Sequence, residues 1–408
     1  MLIEIKIPPA VEEILNVFYE HGEEAYIVGG CVRDSIMGKK PKDWDITTSA
    51  TPLQIKAFFP KTVDTGIKHG TVTVLHKKEA IEVTTFRVDG QYEDHRRPKT
   101  VNFTKSLKED VARRDFTVNA MAYAPQTGLI DYFQGQADLK KKCIRCVGRA
   151  EERFEEDALR MMRAIRFAAA LDFQIEADTA RAIRTKKRLI QAVSQERIRI
   201  EFVKTLYSEH PEYLGYFEKY GLMPFFLPEI SLPTESESFF YQVLRRIPAE
   251  GLARLSAFFG CLGNGKETAA QVKKILKRMT FDNHSLSVVT SVVKQGGLVW
   301  QKDDYFFRKC LSQFGAEVTE ILLEIGAAKG QFSMSEMAEY LERAKTAPLN
   351  ITDLAINGRD LIALGMDEGK AIGHSLKLLL EVVLQEPEKN TKDQLIAVLS
   401  EINSRSVE

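Results

Sequence analysis

In the first 149 positions, segments whose hydrophobic residues recur with the helical period alternate with segments that have the pattern of strands. An amphipathic pattern over 11–19 predicts a helix, and the apolar run over 25–28 predicts a strand. Further strands are predicted over 43–47, 71–75 and 81–86, and a helix begins near Pro52. The polar link over 77–79 suggests a hairpin between the last two strands. This pattern predicts an α+β head built on a small mixed β-sheet.

From residue 150 onward the strand signals nearly vanish and helical spacing dominates. The run 154–171 predicts one continuous helix, and prolines break the later pattern at several points. At 408 residues the chain is too long for a single core. We expect four domains: a head over 1–149, a helical neck over 150–210, a helical body over 211–300 and a helical tail over 301–408.

The segment 88–108 departs from both periods. It is polar and charged, and a loop of this length inside a compact domain is usually functional or disordered. Lys and Arg together number 57, as do Asp and Glu, so overall charge does not point to a nucleic-acid partner. No run reaches the length of a membrane helix and the start does not read as a signal peptide, so we expect a cytoplasmic protein.

The five cysteines are scattered and odd in number, which fits a reducing compartment. Cys143 and Cys146 have C-x-x-C spacing, but the sequence offers no second pair and no neighbouring histidine for a zinc cage. The histidines never cluster at ligand spacing. These observations argue against a zinc enzyme.

Asp43 and Asp45 are separated by one residue in the predicted strand 43–47. Residues i and i+2 of a strand point to the same face, so the two carboxylates project together and repel each other unless a cation lies between them. Such oxygen donors suit Mg²⁺-dependent phosphoryl or nucleotidyl transfer, whereas a solvated strand end is the alternative. Glu82 is a candidate third ligand, and an outward-facing strand residue is an equal alternative for it.

A glycine turn precedes this acidic pair. Gly29 and Gly30 lack a Cβ, so their backbone N–H groups can approach a phosphate closely, and Arg33 can bind phosphate oxygens in a bidentate fork. A plain strand-to-helix turn is the alternative. The segment is neither a Walker A motif nor a G-x-G-x-x-G fingerprint, which argues against P-loop and Rossmann proteins.

Four motifs occur in a fixed order over residues 25–167. They are Gly29-Gly30-x-x-Arg33-Asp34, Lys42-Asp43-Trp44-Asp45-Ile46, Arg113-Arg114-Asp115-Phe116-Thr117-Val118-Asn119-Ala120-Met121 and Glu156-Asp157-Ala158-Leu159-Arg160. With them the chain resembles the bacterial class II tRNA nucleotidyltransferases, the CCA-adding enzymes. Bacterial poly(A) polymerases are close relatives with the same head. The resemblance implies a polymerase-β-like nucleotidyltransferase head and an all-helical remainder.

The resemblance also implies roles for the head residues. Asp43 and Asp45 bind Mg²⁺ and are the catalytic pair. Gly30, Arg33 and Arg114 contact the incoming triphosphate. Arg113 and a helix-starting Asp115 set the geometry of their segment, although by themselves the two arginines would read as a surface basic pair.

Four residues at intervals of three form a slowly drifting ridge on the predicted helix, Asp157, Arg160, Arg163 and Arg166. Alone, the pattern is typical of a solvated face with ion pairs. The resemblance implies a protein template, in which Asp157 accepts from the exocyclic amino group of C or A and Arg160 donates to the same base edge. Uracil and guanine would present a carbonyl to that carboxylate, leaving two buried acceptors unpaired. Arg163 and Arg166 would hold the nucleotide.

The resemblance implies addition of CCA to the 3′ end of tRNA from CTP and ATP, without a nucleic-acid template and with release of pyrophosphate. The partner is then tRNA, held by its acceptor arm, and segment 88–108 corresponds to a family loop associated with A addition. An enzyme that adds only A and a poly(A) polymerase are the alternatives, the latter disfavoured by the near-neutral C-terminal end. A non-catalytic RNA-binding protein would not need the acidic pair. The sequence leaves a homodimer open.

Overall fold

The computed structural model describes the backbone of residues 4–90, 101–233 and 235–405. The chain divides into two compact units, Met1–Tyr241 and Gln242–Glu408. The predicted α+β head followed by helices is confirmed, since within the described ranges no strand lies beyond Ile175. The finer boundaries at 149, 210 and 300 stay predictions. None of the described helices is both long and apolar enough to cross a membrane.

The strands all belong to the first unit. In chain order they are β1 (Ala25–Val28), β2 (Asp45–Thr48), β3 (Thr62–Gly66), β4 (Thr71–His76), β5 (Glu79–Thr85), β6 (Arg87–Asp89), β7 (Val101–Phe103), β8 (Ala122–Ala124), β9 (Gly128–Ile130), β10 (Cys143–Ile144) and β11 (Gln174–Ile175).

The helices of the first unit alternate with these strands along the chain and continue beyond the last of them. They are α1 (Pro9–Glu20), α2 (Gly30–Ile36), α3 (Pro52–Phe58), α4 (Leu107–Ala112), α5 (Gly135–Lys140), α6 (Ala150–Glu156), α7 (Leu159–Leu171), α8 (Ala177–Lys186), α9 (Gln195–Leu206), α10 (Gly215–Lys219) and α11 (Met223–Phe226). The next helix, α12 (Phe239–Arg246), contains the boundary between the units.

Seven strands form one mixed sheet in the order β3-β4-β5-β2-β1-β8-β9. β2 is central: it pairs antiparallel with β1 and parallel with β5. The short strand β1 is buried along its whole length, as its uninterrupted apolar sequence predicts. The predicted hairpin between β4 and β5 is confirmed, and Lys77 and Lys78 take the positive φ angles of 47° and 67° that a tight turn between twisted strands requires.

Two predicted boundaries near the sheet were wrong. The strand expected over 43–47 starts only at Asp45, because pairing with β5 begins there and Asp43 lies in the preceding coil. The segment expected to be an irregular loop over 88–108 contains an antiparallel pair, β6 with β7, and the start of α4. These strands are too short to produce a visible period. Residues 91–100 of the segment lie outside the described residues.

The helix predicted over 154–171 is interrupted at Asp157. This residue has φ −139° and ψ 103°, and its carboxylate accepts the backbone N–H of Leu159 at 3.1 Å. A side chain that accepts a nearby backbone N–H offers the backbone an alternative to continuing the first helix. The result is two helices, α6 and α7, with Asp157 between them.

The second unit is entirely helical within the described residues. After α12 it contains α13 (Leu252–Phe259), α14 (Lys266–Arg278), α15 (Asn283–Gln295), α16 (Asp304–Phe314), α17 (Ala316–Ala328), α18 (Met334–Lys345), α19 (Gly358–Ala363), α20 (Lys370–Gln385) and α21 (Lys392–Arg405). Its buried residues form three apolar clusters, one of them built by the last three helices.

Candidate active site

Three carboxylates line one cleft at the start of β2. Asp45 is the first residue of β2 and lies directly opposite Glu82 of β5 in the parallel register. Opposed residues of neighbouring strands point to the same face. Asp43 lines the same cleft, which has a volume of about 830 Å³. We call Asp43, Asp45 and Glu82 the carboxylate cleft.

The pKa of Asp45 reflects the charges around it. The surrounding protein partly desolvates the carboxylate and raises this pKa, Arg114 lowers it, and the nearby carboxylates of Glu82 and Asp43 raise it, so that the net shift is upward. Within the described ranges, no side chain forms an ion pair or hydrogen bond with the carboxylate groups of these three acids. Carboxylates that face one another in this way, with the pKa of Asp45 raised by its neighbours, suit a site that binds a cation.

These oxygen donors fit a divalent metal ion, because hard divalent cations prefer carboxylate ligands. The donors do not form a closed cage: among the residues that the structure describes, no three His, Cys, Asp or Glu side chains already stand at metal-binding distance. Asp43 and Asp45 are both exposed. An open group of acids leaves room for substrate oxygens in the coordination sphere.

The glycine turn lies beside the carboxylate cleft. The Sγ atom of Cys31, at the start of α2, is 4.0 Å from the carbonyl oxygen of Asp45. Gly29 has φ +83°, and a Cβ there would lie 3.2 Å from Nη1 of Arg114. Glycine is therefore required both for the backbone angle and for the close approach of this arginine. The turn thus brings a predicted triphosphate contact, Arg114, next to α2.

Arg33 projects from α2 and is fixed by two partners. Its Nη1 donates to Oδ1 of Asn119 at 2.6 Å, and its Nε donates to Oδ1 of Asp34 at 2.8 Å. The side chain is 10% exposed. Asn119 belongs to the third sequence motif, so the first and third motifs are in direct contact.

Asp110 connects several parts of the site, although the sequence analysis did not single it out. It is completely buried and accepts from Oγ1 of Thr47 at 3.0 Å and from Nη2 of Arg113 at 2.7 Å. Nη2 of Arg114 lies 3.7 Å away. Burial would raise the pKa of Asp110, but the two arginines and these hydrogen bonds lower it overall. An ionised Asp110 therefore ties β2 to the two motif arginines.

The predicted base-reading pair lies at the junction of α6 and α7. Asp157 accepts from Nη2 of Arg197 at 2.8 Å and from its Nη1 at 3.3 Å. The guanidinium of Arg160 is buried and donates to the carbonyl oxygens of Arg113 at 2.9 Å and Arg153 at 3.1 Å. Asp157 therefore does not continue the predicted ridge of α7. It lies just before the N-terminal end of α7, where Arg197 of α9 holds its carboxylate.

The other two arginines of the ridge also have acidic partners. Arg163 donates to Oδ2 of Asp115 from Nε at 2.8 Å and from Nη2 at 2.5 Å. Arg166 forms an ion pair with the buried Glu201 of α9. The expectation that Asp115 starts a helix was wrong, because it lies between α4 and a 3₁₀ turn, where its carboxylate meets Arg163.

All the predicted site residues lie in the first unit. The partners that fix them were not predicted from the sequence; they are Arg197, Glu201, Asp110 and Asn119. Arg197 lies 40 residues beyond Asp157, and no local spacing signals such a contact. Arg197 stands in the basic stretch 197–199, whose composition alone fits a solvated helix face as well as an RNA contact.

Asp115 is expected to stabilise the first unit at neutral pH. Burial would raise its pKa, but the charge of Arg163 and the hydrogen bonds from Arg163 and Asn119 lower it to about 2. A carboxyl whose pKa is lower in the folded state stabilises above its unfolded pKa, and loses that contribution as the pH falls through the folded value. Asp115→Asn should therefore cost on the order of 2 kcal/mol at pH 7, measured as a shift in urea unfolding.

The penalty for Asp115→Asn should shrink as the pH falls from about 4 towards 2, because the wild-type carboxyl becomes protonated there. Asp64→Asn is the control, since the Asp64 side chain is 48% exposed and pairs only with a surface lysine among the described residues. A penalty for Asp115→Asn that stays constant across this range would contradict the assigned pKa shift.

The mixed sheet and the carboxylate cleft beside a glycine turn define a nucleotidyltransferase-type head. The poly(A) polymerase head domain model matches residues 25–145, and the model described as "Probable RNA and SrmB- binding site of polymerase A" matches 172–232. The model of tRNA nucleotidyltransferase domain 2 matches 256–399.

Relatives match over nearly the whole chain. The CCA-adding enzyme of Lactiplantibacillus plantarum is 37% identical over 402 residues, covering 95% of this chain and 94% of the relative. That of Enterococcus faecalis is 36% identical over 416 residues, covering 98% of each. The structure of the Bacillus stearothermophilus CCA-adding enzyme in complex with CTP has a TM-score of 0.84 at 31% identity, covering 98% of this chain and 99% of the other. The chain belongs to the family of CCA-adding enzymes.

Proposed function

We propose that this protein is a Mg²⁺-dependent CCA tRNA nucleotidyltransferase. The observation that carries the proposal is the carboxylate cleft beside the glycine turn, in a unit that also contains Asp157 and Arg160. Family membership supports the same activity. The reaction is attack of the tRNA 3′-hydroxyl on the α-phosphate of CTP or ATP, with pyrophosphate as the leaving group.

We propose that Asp43 and Asp45 hold Mg²⁺, with Glu82 as a third ligand from the adjacent strand. Bound there, the ion would supply charge neutralisation for the triphosphate and activation of the attacking hydroxyl. The open side of the cleft leaves space for the substrate oxygens. No covalent enzyme intermediate is required, so the protein contributes positioning and electrostatic stabilisation.

The triphosphate is proposed to lie between the glycine turn and the arginines that face it. Gly30 offers its backbone N–H at the start of α2, and Arg33 and Arg114 offer guanidinium groups on either side. Because Arg33 is fixed by Asn119 and Asp34, it reaches a phosphate with little loss of side-chain entropy. Such fixed cations stabilise charge that develops on a leaving pyrophosphate.

Base selection is proposed to rest on Asp157 and Arg160. The bidentate contact from Arg197 orients the Asp157 carboxylate, whose two oxygens can accept further hydrogen bonds from an amino group of C or A. Arg160 donates to two backbone carbonyls and pairs with Glu156, so its guanidinium is held in one orientation at the start of α7. Two fixed groups can reject U and G, since a carbonyl facing a carboxylate leaves both acceptors unpaired.

We propose tRNA as the macromolecular substrate, in line with the RNA-binding model matched over 172–232. Two stretches rich in basic residues, 181–188 and 197–199, are candidates for contacts with RNA, but their arginines are not equally available. Arg197 is engaged with Asp157, and Arg184 lies over the Tyr220 ring at 5.0 Å. Among these residues, we propose that the exposed Arg188 contacts an RNA phosphate.

Three tRNA substrates distinguish the activities of this family. We expect CTP to extend tRNA that ends before the first C by two residues, and to extend tRNA that ends after the first C by one. ATP should extend only tRNA that ends in CC, by one residue. Gel resolution of radiolabelled products measures each step. Extension of the CC substrate alone would identify an enzyme that adds only A, and a long ladder with ATP would identify a poly(A) polymerase.

A further inference from the structure

Three arginines of the candidate active site converge on one aromatic ring. The guanidinium carbons of Arg33, Arg163 and Arg166 lie 5.5, 5.2 and 3.9 Å from the centre of the Phe167 ring. A guanidinium within about 6 Å of a ring centre is attracted to its π system. Arg33 comes from α2 and the other two come from α7. The ring therefore joins the glycine-turn helix to the helix that follows Asp157.

The ring itself is held in place. Phe167 is 8% exposed and packs edge-on against Phe116, with ring centres 5.7 Å apart and an interplanar angle of 75°. Phe116 is completely buried and lies in the third motif, next to Asp115. A ring anchored in this way cannot follow a moving arginine, so it sets a fixed point for all three guanidinium groups.

No single acid holds all three arginines, because Glu201 pairs with Arg166 and lies 3.8 Å from Arg163, whereas Arg33 pairs with Asp34. The closest pairs are Arg33 with Asp34, Arg163 with Asp115 and Arg166 with Glu201. The three acids lie on different segments, namely α2, the segment after α4, and α9. Like charges also repel one another in a site with little water. The shared ring is the one attraction common to all three guanidinium groups in the described contacts.

We propose that Phe167 is a positioning residue for the nucleoside triphosphate. Its ring holds Arg33, Arg163 and Arg166 as one cationic group whose ligand is the polyphosphate chain of the substrate and of the pyrophosphate product. The inference rests on the proposed function, because it assigns the polyphosphate as the ligand of these arginines. It predicts that removing the ring weakens the binding of a ligand more when that ligand carries more phosphates.

Phe167→Leu tests the proposal, because leucine keeps apolar volume but removes the π face. We expect CTP and pyrophosphate to bind about tenfold more weakly, whereas CMP, with one phosphate, changes by about twofold. Phe167→Tyr should retain wild-type affinity for all three. Titration calorimetry without tRNA gives the dissociation constants, and gel shift with tRNA should show unchanged RNA binding. Phe167→Met, a flexible and apolar replacement, repeats the test if the leucine variant fails to fold.

Phe18→Leu is the matched control. Phe18 is also buried, but it packs against Phe58 and Phe59, and none of the described cation–ring contacts involves it. It should lower thermal stability without changing CTP affinity. Unchanged CTP and pyrophosphate binding in the leucine or methionine variant, or equal loss for CMP and CTP, would overturn the inference while wild-type incorporation still supports the proposed function. A wild-type chain that binds no CTP and extends no tRNA would overturn both.

Discussion

Replacing Asp43 or Asp45 with Ala should lower nucleotide incorporation at least about a thousandfold, while tRNA binding is kept. The two carboxylates are the proposed metal ligands, and losing the charge stabilisation of a bound ion costs several kcal/mol of transition-state free energy. Asp45 is expected to be the more sensitive position, because β2 and its register with Glu82 fix it, whereas Asp43 lies in coil. Incorporation of labelled CMP into tRNA under saturating Mg²⁺ measures the effect.

The control for this experiment is Asp64→Ala, which removes an exposed acid from β3 of the same sheet. Its rate should equal that of the wild type. Glu82→Ala should reduce the rate and raise the Mg²⁺ concentration that is needed for half-maximal activity, since a third ligand would be lost. Wild-type incorporation by both Asp43→Ala and Asp45→Ala would reject the assignment of this cleft as the catalytic metal site.

The sequence predicted well what depends on local pattern. The buried strand β1, the hairpin β4–β5 and the head-then-helices order all follow from side-chain periodicity, which reports the burial of neighbouring residues. Glu82 was predicted as a third metal ligand or, equally, as an outward-facing strand residue, and its pairing with Asp45 was not predicted. Strand register depends on partners distant in the chain, so it becomes visible only in the structure.

Predictions from the sequence were wrong where contacts between residues distant in the chain override local helix propensity. The helical pattern over 154–171 is strong, yet Asp157 leaves the helix and its carboxylate accepts the backbone N–H of Leu159, the first residue of α7. Its side chain is then held by Arg197, a contact that links residues 40 positions apart. Motif spacing indicated which side chains we propose for the chemistry, but it could not indicate which residues fix them. In physical terms, the first depends on residue type and the second on tertiary packing.

Asp157→Asn should change which nucleotides the protein accepts. The carboxylate offers only acceptors to the base, so it favours the amino group of C and A. The amide adds an N–H₂ donor that can pair with the carbonyl of U or G. We expect the ratio of kcat/KM for CTP to that for UTP to fall about a hundredfold, with part of the fall arising from a gain with UTP. Competition between CTP and UTP on tRNA measures this ratio.

Asp157→Ala and Arg160→Ala distinguish base selection by these two residues from a purely structural role. Alanine at position 157 removes the acceptor without adding a donor, so discrimination should relax through loss of CTP use and not through gain of UTP use. Asp178→Ala is the control, because its side chain is 70% exposed and its ion pair lies on the surface of α8. Unchanged selectivity in all three substitutions at Asp157 and Arg160 would reject base reading by this pair. Loss of activity with unaltered selectivity would instead assign to Arg197 and Asp157 the role of holding α9 against the start of α7.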